Sequence, residues 1–393
     1  MTLPLATLIG VLAGVAGALF LALLGWATQT RTATPALVLG LPVAGFALGY
    51  AYWRWGGLAN RGTNHVIDHA NTLDQRVPAR MMPLVLVGTV ITHLFGGSAG
   101  REGTAVQMGA SLADSVRRLV RVQHPDQRRT LIQAGISGGF GAVFGTPLAA
   151  TVFALEVLHI GRARYAALLP CLLAALIGDL TARALGATHT LYPQSPALAL
   201  DPLMLLKVAA AGVMFGGCVR GFVALLHGLK KLFGRIAWPP LRPLIGGVAV
   251  IGLTALVGSD AYLGLGLPLL QDSLTGGEVP ALAFALKLVF TAVTLGSGFV
   301  GGEVTPLFVM GATLGHALGA PLGLDPAMLA SIGMVAVFAG ASKTPLACTL
   351  MAVELFGGGA ALYVWVGCVM AYVAAGRHGI YPAQRNTSDD MKV

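Results

Sequence analysis

Arg101 and Glu102 stand side by side between Gly100 and Gly103, within the stretch GGSAGREGTAVQMGASLAD over residues 96–114. An uncharged run over residues 81–100 leads into them. Further along, Glu303 follows a second glycine-rich stretch and precedes another apolar run. Both glutamates thus have the sequence setting of a helix N-terminus, where free N–H groups and the positive dipole end favour anions. Two such ends converging on one point make an anion site with no fixed cation, which helps release, since a permanent positive charge holds an anion tightly. A glutamate there can put its own carboxylate where the anion binds. Protonation and anion binding then compete, which is a mechanism for exchanging an anion against a proton. The bland alternative is that each carboxylate merely caps its helix.

The same stretch also admits other chemistry. GGSAG, with Ser98 at its centre, fits the G-x-S-x-G nucleophile elbow and would make an intramembrane serine hydrolase. The motif is mostly glycine in a glycine-rich chain, the second glutamate segment does not keep the serine, and no base is named for it. Glu156 and Glu354 read as mid-helix hydrogen-bonding residues, and His93 and His316 as core or interface histidines. The four cysteines lie in apolar segments without metal-ligand spacing. No metal and no cofactor is expected.

The elements that must hold these residues are membrane helices. Only 10% of the 393 residues are charged and 55% are hydrophobic, against about 25% charged in soluble domains. Long uncharged runs, such as residues 3–30, 32–53 and 304–324, approach or exceed the roughly 20 residues that span a bilayer. Shorter runs predict tilted, re-entrant or broken helices among at least ten in all. The net charge of +9 sits in short segments between apolar runs, as in loops facing lipid phosphates. Nucleic acid is not an expected partner; membrane lipid is. The first apolar run starts almost at Met1 and reads as a retained helix.

An internal repeat organises the chain. GTPLAATVFALEV (residues 145–157) recurs as KTPLACTLMAVEL (residues 343–355), identical at seven of thirteen positions. Upstream, GSAGREGTAVQMGASL matches GFVGGEVTPLFVMGATL, pairing Glu102 with Glu303 and Thr104 with Thr305. The chain has five glutamates, and four of them belong to these blocks. Residues 1–191 form a first membrane half, 192–202 a connector and 203–393 a second half, with no cytosolic regulatory domain. Duplicated membrane units with glycine-rich breaks characterise transporters.

With those residues in view, the chain resembles the CLC chloride channels and transporters. GREGT at residues 100–104 is similar to that family's G-R-E-G-P motif, and GGEVTPLFVMGATLG at residues 301–315 to its second anion-site motif. The resemblance implies an all-α polytopic fold with an inverted-topology repeat of tilted and broken helices. It makes Glu102 the proton and anion gate. It places Gly100, Arg101, Gly103, Thr104, Glu303, Val304, Thr305 and Tyr381 at the anion path, with Thr63 and Asn64 donating near the early motif.

Four departures resemble the fluoride-exporting branch. Thr104 replaces the motif proline, Glu303 and Thr305 flank Val304 where phenylalanine is usual, Val157 replaces a second proton-transfer glutamate, and Arg61 occupies a serine position. Arg61 faces either solvent or the anion entrance. The implied function is fluoride export in exchange for protons, giving fluoride resistance. A chloride/proton antiporter or passive anion channel of the same family is the runner-up, with chloride as its anion. The resemblance also implies a homodimer with one pathway per subunit in a bacterial inner membrane. Fluoride is small and strongly hydrated, so a site for it needs strong donors such as a threonine hydroxyl.

Overall fold

The computed structural model describes residues 2–386; the outer ends of the two expected halves, residue 1 and residues 387–393, lie outside the described residues. Helices dominate. They are α1 (Thr2–Ala33), α2 (Leu41–Ala51), α3 (Gly62–Thr72), α4 (Met81–Leu94), α5 (Glu102–Leu119), α6 (Pro125–Phe144), α7 (Pro147–Glu156) and α8 (Leu168–Ala184). After the connector come α9 (Pro202–Gly234), α10 (Leu241–Val257), α11 (Leu267–Thr275), α12 (Ala283–Ser297), α13 (Val304–Leu322), α14 (Pro326–Ser342), α15 (Pro345–Phe356) and α16 (Ala361–Ala374). Proline at the first turn of α6, α7, α9, α14 and α15 sets where each begins.

Among the described residues, four helical segments are long and apolar enough to cross a bilayer alone, and seven apolar helices run only 10–17 residues. The expectation of at least ten spanning helices is therefore met only by counting partial spans. The reason is the glycine-rich breaks, which stop α4 and α12 short and restart the chain as α5 and α13. Short spans leave helix ends inside the protein, where their N–H groups become available.

Small residues let those helices approach closely. A side chain at Gly109 of α5 would strike the backbone of Gly135 of α6, and one at Gly311 or Gly315 of α13 would strike Gly333 or Leu329 of α14. Such contacts substitute for the hydrophobic driving force that lipid does not provide. Larger side chains fill the middle. The rings of Phe140, Phe144, Phe308, Phe338 and Phe153 form a closed circuit with centroid separations of 5.0–5.9 Å. Helices from both sides of the connector contribute, so this cluster ties them together.

The two TPLA blocks meet directly. Glu354, near the end of α15, accepts from the amides of Leu148 (2.9 Å) and Ala149 (2.7 Å) at the start of α7. Glu156, ending α7, accepts from Leu346 (3.4 Å) and Ala347 (2.8 Å) at the start of α15. Each carboxylate caps the opposite helix, satisfying amides that have no intrahelical partner. The reading of both as hydrogen-bonding residues fits this arrangement.

The connector is tied down rather than loose. Ser195 donates to Phe356 O (2.7 Å), Leu198 to Gly359 O (3.1 Å), and Tyr363 Oη to Ala199 O (2.6 Å). At its other end α8 follows a short parallel strand pair, His159–Ile160 with Arg385–Asn386. The 17 residues of α8 span about 25 Å between the segment after that pair and the one that leads into the connector.

Candidate functional site

The two glycine-rich breaks touch backbone to backbone. Gly100 N donates to Gly302 O (2.6 Å) and Gly302 N to Gly100 O (2.8 Å), an isolated antiparallel bridge. Glycine is required here by space: a Cβ on Gly100 would lie 2.8 Å from Pro306 Cδ and 2.9 Å from Thr305 N. Gly103 likewise faces Gly302, with Cα 3.1 Å from where its Cβ would be. These contacts bring the N-termini of α5 and α13 together, as the sequence implied.

Glu102 begins α5 but its carboxylate serves α13. Oε2 accepts from Thr305 N (3.1 Å) and Thr305 Oγ1 (2.5 Å), and from Arg101 N at 3.3 Å. Its side chain is fully buried. The carboxylate therefore occupies the free amide end of the opposite helix, the place an anion would take. The site differs from the expected one with no fixed cation, because Arg101 Nε lies 3.4 Å from Glu102 Oε1.

Glu303 does not return the contact. It is the residue before α13 and is half-buried, and it lines a cavity of about 520 Å³ together with Thr63, Asn64, Lys230, Arg242 and Tyr381. Its Oε2 is 3.6 Å from the space beside Gly103, so it stands between cavity and break. Tyr381 is buried at the cavity wall. Thr63 Oγ1 accepts from Gln107 Nε2 (3.2 Å), and Asn64 Oδ1 accepts from Ala383 N (3.2 Å), which anchors the segment carrying Tyr381. Arg61 also borders the cavity, is exposed, and pairs with Asp68.

Two residues expected at the path are placed elsewhere. Thr104 is fully buried and bonds Thr89 Oγ1 of α4 (2.8 Å). It is two residues from Glu102, and two residues turn a helix through about 200°, so they face opposite ways. Val304 packs into the apolar core. Conversely, Gln107, Lys230 and Arg242 line the cavity without having been singled out as site residues. Lys230 lies within α9 rather than in a short basic segment between apolar runs. A signal existed: Phe222, Leu226 and Lys230 of α9 follow one helical face, and the first two are buried.

Ser98 is fully buried, its Oγ 3.0 Å from Thr291 Oγ1 and its amide donating to Thr294 Oγ1 (3.1 Å). A threonine hydroxyl is no general base. The ring nitrogens of nearby His93 are taken up by the carbonyls of Thr89 and Ala99. His316 Nδ1 meets Ser273 O at 3.2 Å. The four cysteines are free and buried.

Known proteins resemble the chain in sequence and in fold. The sequence model of the family described as "Voltage gated chloride channel" matches residues 44–376. The chain is 47% identical over 395 residues to a "Chloride/fluoride channel protein" of Pseudomonas syringae pv. tomato, covering 98% of this chain and 86% of that one. It is 26% identical to an "H(+)/Cl(-) exchange transporter ClcA" of Vibrio cholerae, over 89% of this chain and 81% of the relative. Among solved structures, a CLC-type fluoride/proton antiporter superposes with a TM-score of 0.94 at 37% identity, covering 98% of each chain. A slow cyanobacterial Cl-/H+ antiporter shares the fold, with a TM-score of 0.83 at 22% identity over 97% and 96% of the two chains.

Proposed function

This chain belongs to the voltage gated chloride channel (CLC) family, and from that premise we propose that it is an integral membrane antiporter exchanging fluoride for protons. The observation that carries the reading is Glu102 seated on the amide and hydroxyl of Thr305. Protonating Glu102 removes the charge that holds it there and frees both donors for an anion arriving from the cavity. Fluoride takes the same two donors, and its departure lets the deprotonated carboxylate return. Each cycle thus exchanges a proton on Glu102 for an anion on Thr305.

The donor set favours fluoride over chloride. Fluoride must be repaid for a strong hydration shell, and Thr305 offers a hydroxyl beside an amide. Glu303, Tyr381, Thr63 and Asn64 form the approach. Glu303 is protonated or turned aside as the anion passes, because its charge would repel fluoride. Lys230, Arg242 and Arg61 make the cavity mouth basic, which orients it to the cytoplasm and draws anions inward. Residues 1–191 and 203–393 act as two related halves joined by the 192–202 connector. The protein works as a homodimer in a bacterial inner membrane, one pathway in each subunit. Its relatives transport ions, and no enzymatic role is assigned to Ser98.

The test is flux from vesicles containing purified protein. A fluoride gradient is expected to drive proton movement, and chloride to do so poorly. Anion movement without protons would leave a passive channel, and equal chloride-driven pumping a chloride/proton antiporter.

A further inference from the structure

Gly145 ends α6 with φ +77°. The matching residue of the second block, Lys343, has φ +62° and is not glycine. Backbone conformation therefore does not by itself demand glycine at this turn. Space does: a Cβ on Gly145 would lie 2.7 Å from the ring of His189, which folds back onto the turn from the segment between α8 and the connector. In the second block the turn is met by residues 379–384 instead, with Ile380 N donating to Ala341 O (2.9 Å) and Gln384 Nε2 to Ser342 O (2.7 Å), and a lysine stands at the matching position.

His189 is held on one side only. Nε2 lies 3.2 Å from Ala142 O, and a carbonyl can only accept, so Nε2 carries the hydrogen. Nδ1 is buried without a hydrogen-bond partner among the described residues. It faces Asp179 Oδ1 at 3.7 Å, and the side chains are 9% and 11% exposed. Asp179 is otherwise engaged by Arg183 Nε, 2.9 Å from each oxygen. In the neutral ring a lone pair points toward a carboxylate; a second proton would turn that contact into an ion pair.

The surroundings link this residue to the gate. Arg183 and Asp179 of α8 and Arg101 of the break are the charges that act on it. Tyr192, three residues on, feels both Arg101 and Glu102, and its ring packs 5.6 Å from Phe356. Burial holds the His189 imidazole below the usual histidine range, with Asp179 pulling the other way. The ring is thus neutral near neutral pH and takes its second proton only in acid.

We propose that His189 is a positioning residue for the Glu102 gate, and that proton uptake at Nδ1 clasps the segment leading into the connector to Asp179. The proton comes from water on the connector's face and forms the Nδ1–H bond that closes on Oδ1. The added positive charge acts with that of Arg101 to hold the Glu102 carboxylate on Thr305. Acid on that face therefore brakes exchange. This consequence rests on the antiporter reading; the clasp itself does not.

Two measurements test it on the full-length protein. In vesicles, wild-type and His189→Gln exchange equally at neutral pH. When the connector's face is acidified, His189→Gln outpaces wild type roughly two- to fivefold, the scale of one such ion pair. Asp179→Asn, with His189 intact, does the same. Separately, amide hydrogen exchange over residues 187–200, corrected for intrinsic rates, slows on acidification in wild type and not in His189→Gln. Identical pH profiles in all three proteins would overturn the brake, and pH-independent protection in wild type would overturn the clasp. If no wild-type exchange is seen at all, the antiporter reading fails while the amide measurement still decides the clasp.

Discussion

At the α7/α15 crossing, Glu354 takes the amides of Leu148 and Ala149, and Glu156 takes those of Leu346 and Ala347. At the crossing of the glycine-rich breaks, Glu102 takes the amide and hydroxyl of Thr305 while Glu303 looks into the cavity. The first crossing is reciprocal and closed. The second is one-sided, and the glutamate that does not reciprocate opens the route between water and the helix end. A duplicated element used twice in the same way builds a joint; used unequally, it builds a passage.

The largest expected effect comes from removing the charge at the one-sided crossing. Glu102→Gln, which mimics the protonated side chain, abolishes proton-coupled exchange, leaving either a block or uncoupled fluoride movement. Fluoride-driven proton pumping at the wild-type rate would break the comparison at its root.

Next come Thr305→Val and Glu303→Ala. Losing a donor to a charged partner costs about 1.5–3 kcal/mol, roughly ten- to a hundredfold in affinity. Fluoride transport per folded molecule therefore falls by that order in Thr305→Val, and strongly in Glu303→Ala. If Glu303 only caps α13, the harm appears in folding yield while flux per molecule and fluoride/chloride discrimination stay normal.

The reciprocal crossing answers differently. Glu156→Gln and Glu354→Gln each weaken two charge-assisted hydrogen bonds and lower thermal stability in detergent, by about 1–3 kcal/mol. Proton coupling per folded molecule remains. Loss of coupling in either variant with stability intact would assign this joint to the transport path.

Smallest of all is Ser98→Ala, which removes a hydroxyl pair with Thr291 and leaves substantial transport. Serine-directed phosphonates should not label the wild type. Stoichiometric labelling lost in Ser98→Ala would restore the hydrolase reading.

Much of this was legible beforehand because glutamate is so scarce in the chain that each one stands out against glycine and apolar neighbours. The repeat paired Glu102 with Glu303 and Glu156 with Glu354. Spacing cannot say which pair reciprocates, because that depends on how one helix end is presented to another. Thr104 shows the limit: adjacency in the motif suggested a shared site, while helical rotation turned it toward Thr89. Lys230 and Arg242 were hidden for a related reason. Their charge was visible, but the cavity they line is assembled from segments far apart in sequence. The proximity of Arg101 to Glu102 was printed in the sequence itself, while the helix-end argument beside it led to an anion site with no fixed cation.

The Gly100–Gly302 bridge constrains how fast and how far the molecule moves. Swinging one set of helices against the other would have to break two backbone hydrogen bonds between buried glycines. Rotating the Glu102 side chain breaks neither. Side-chain rotation belongs to a faster regime than collective rocking, so turnover can proceed within a nearly rigid frame, and a covalent staple across the two breaks would leave the cycle running.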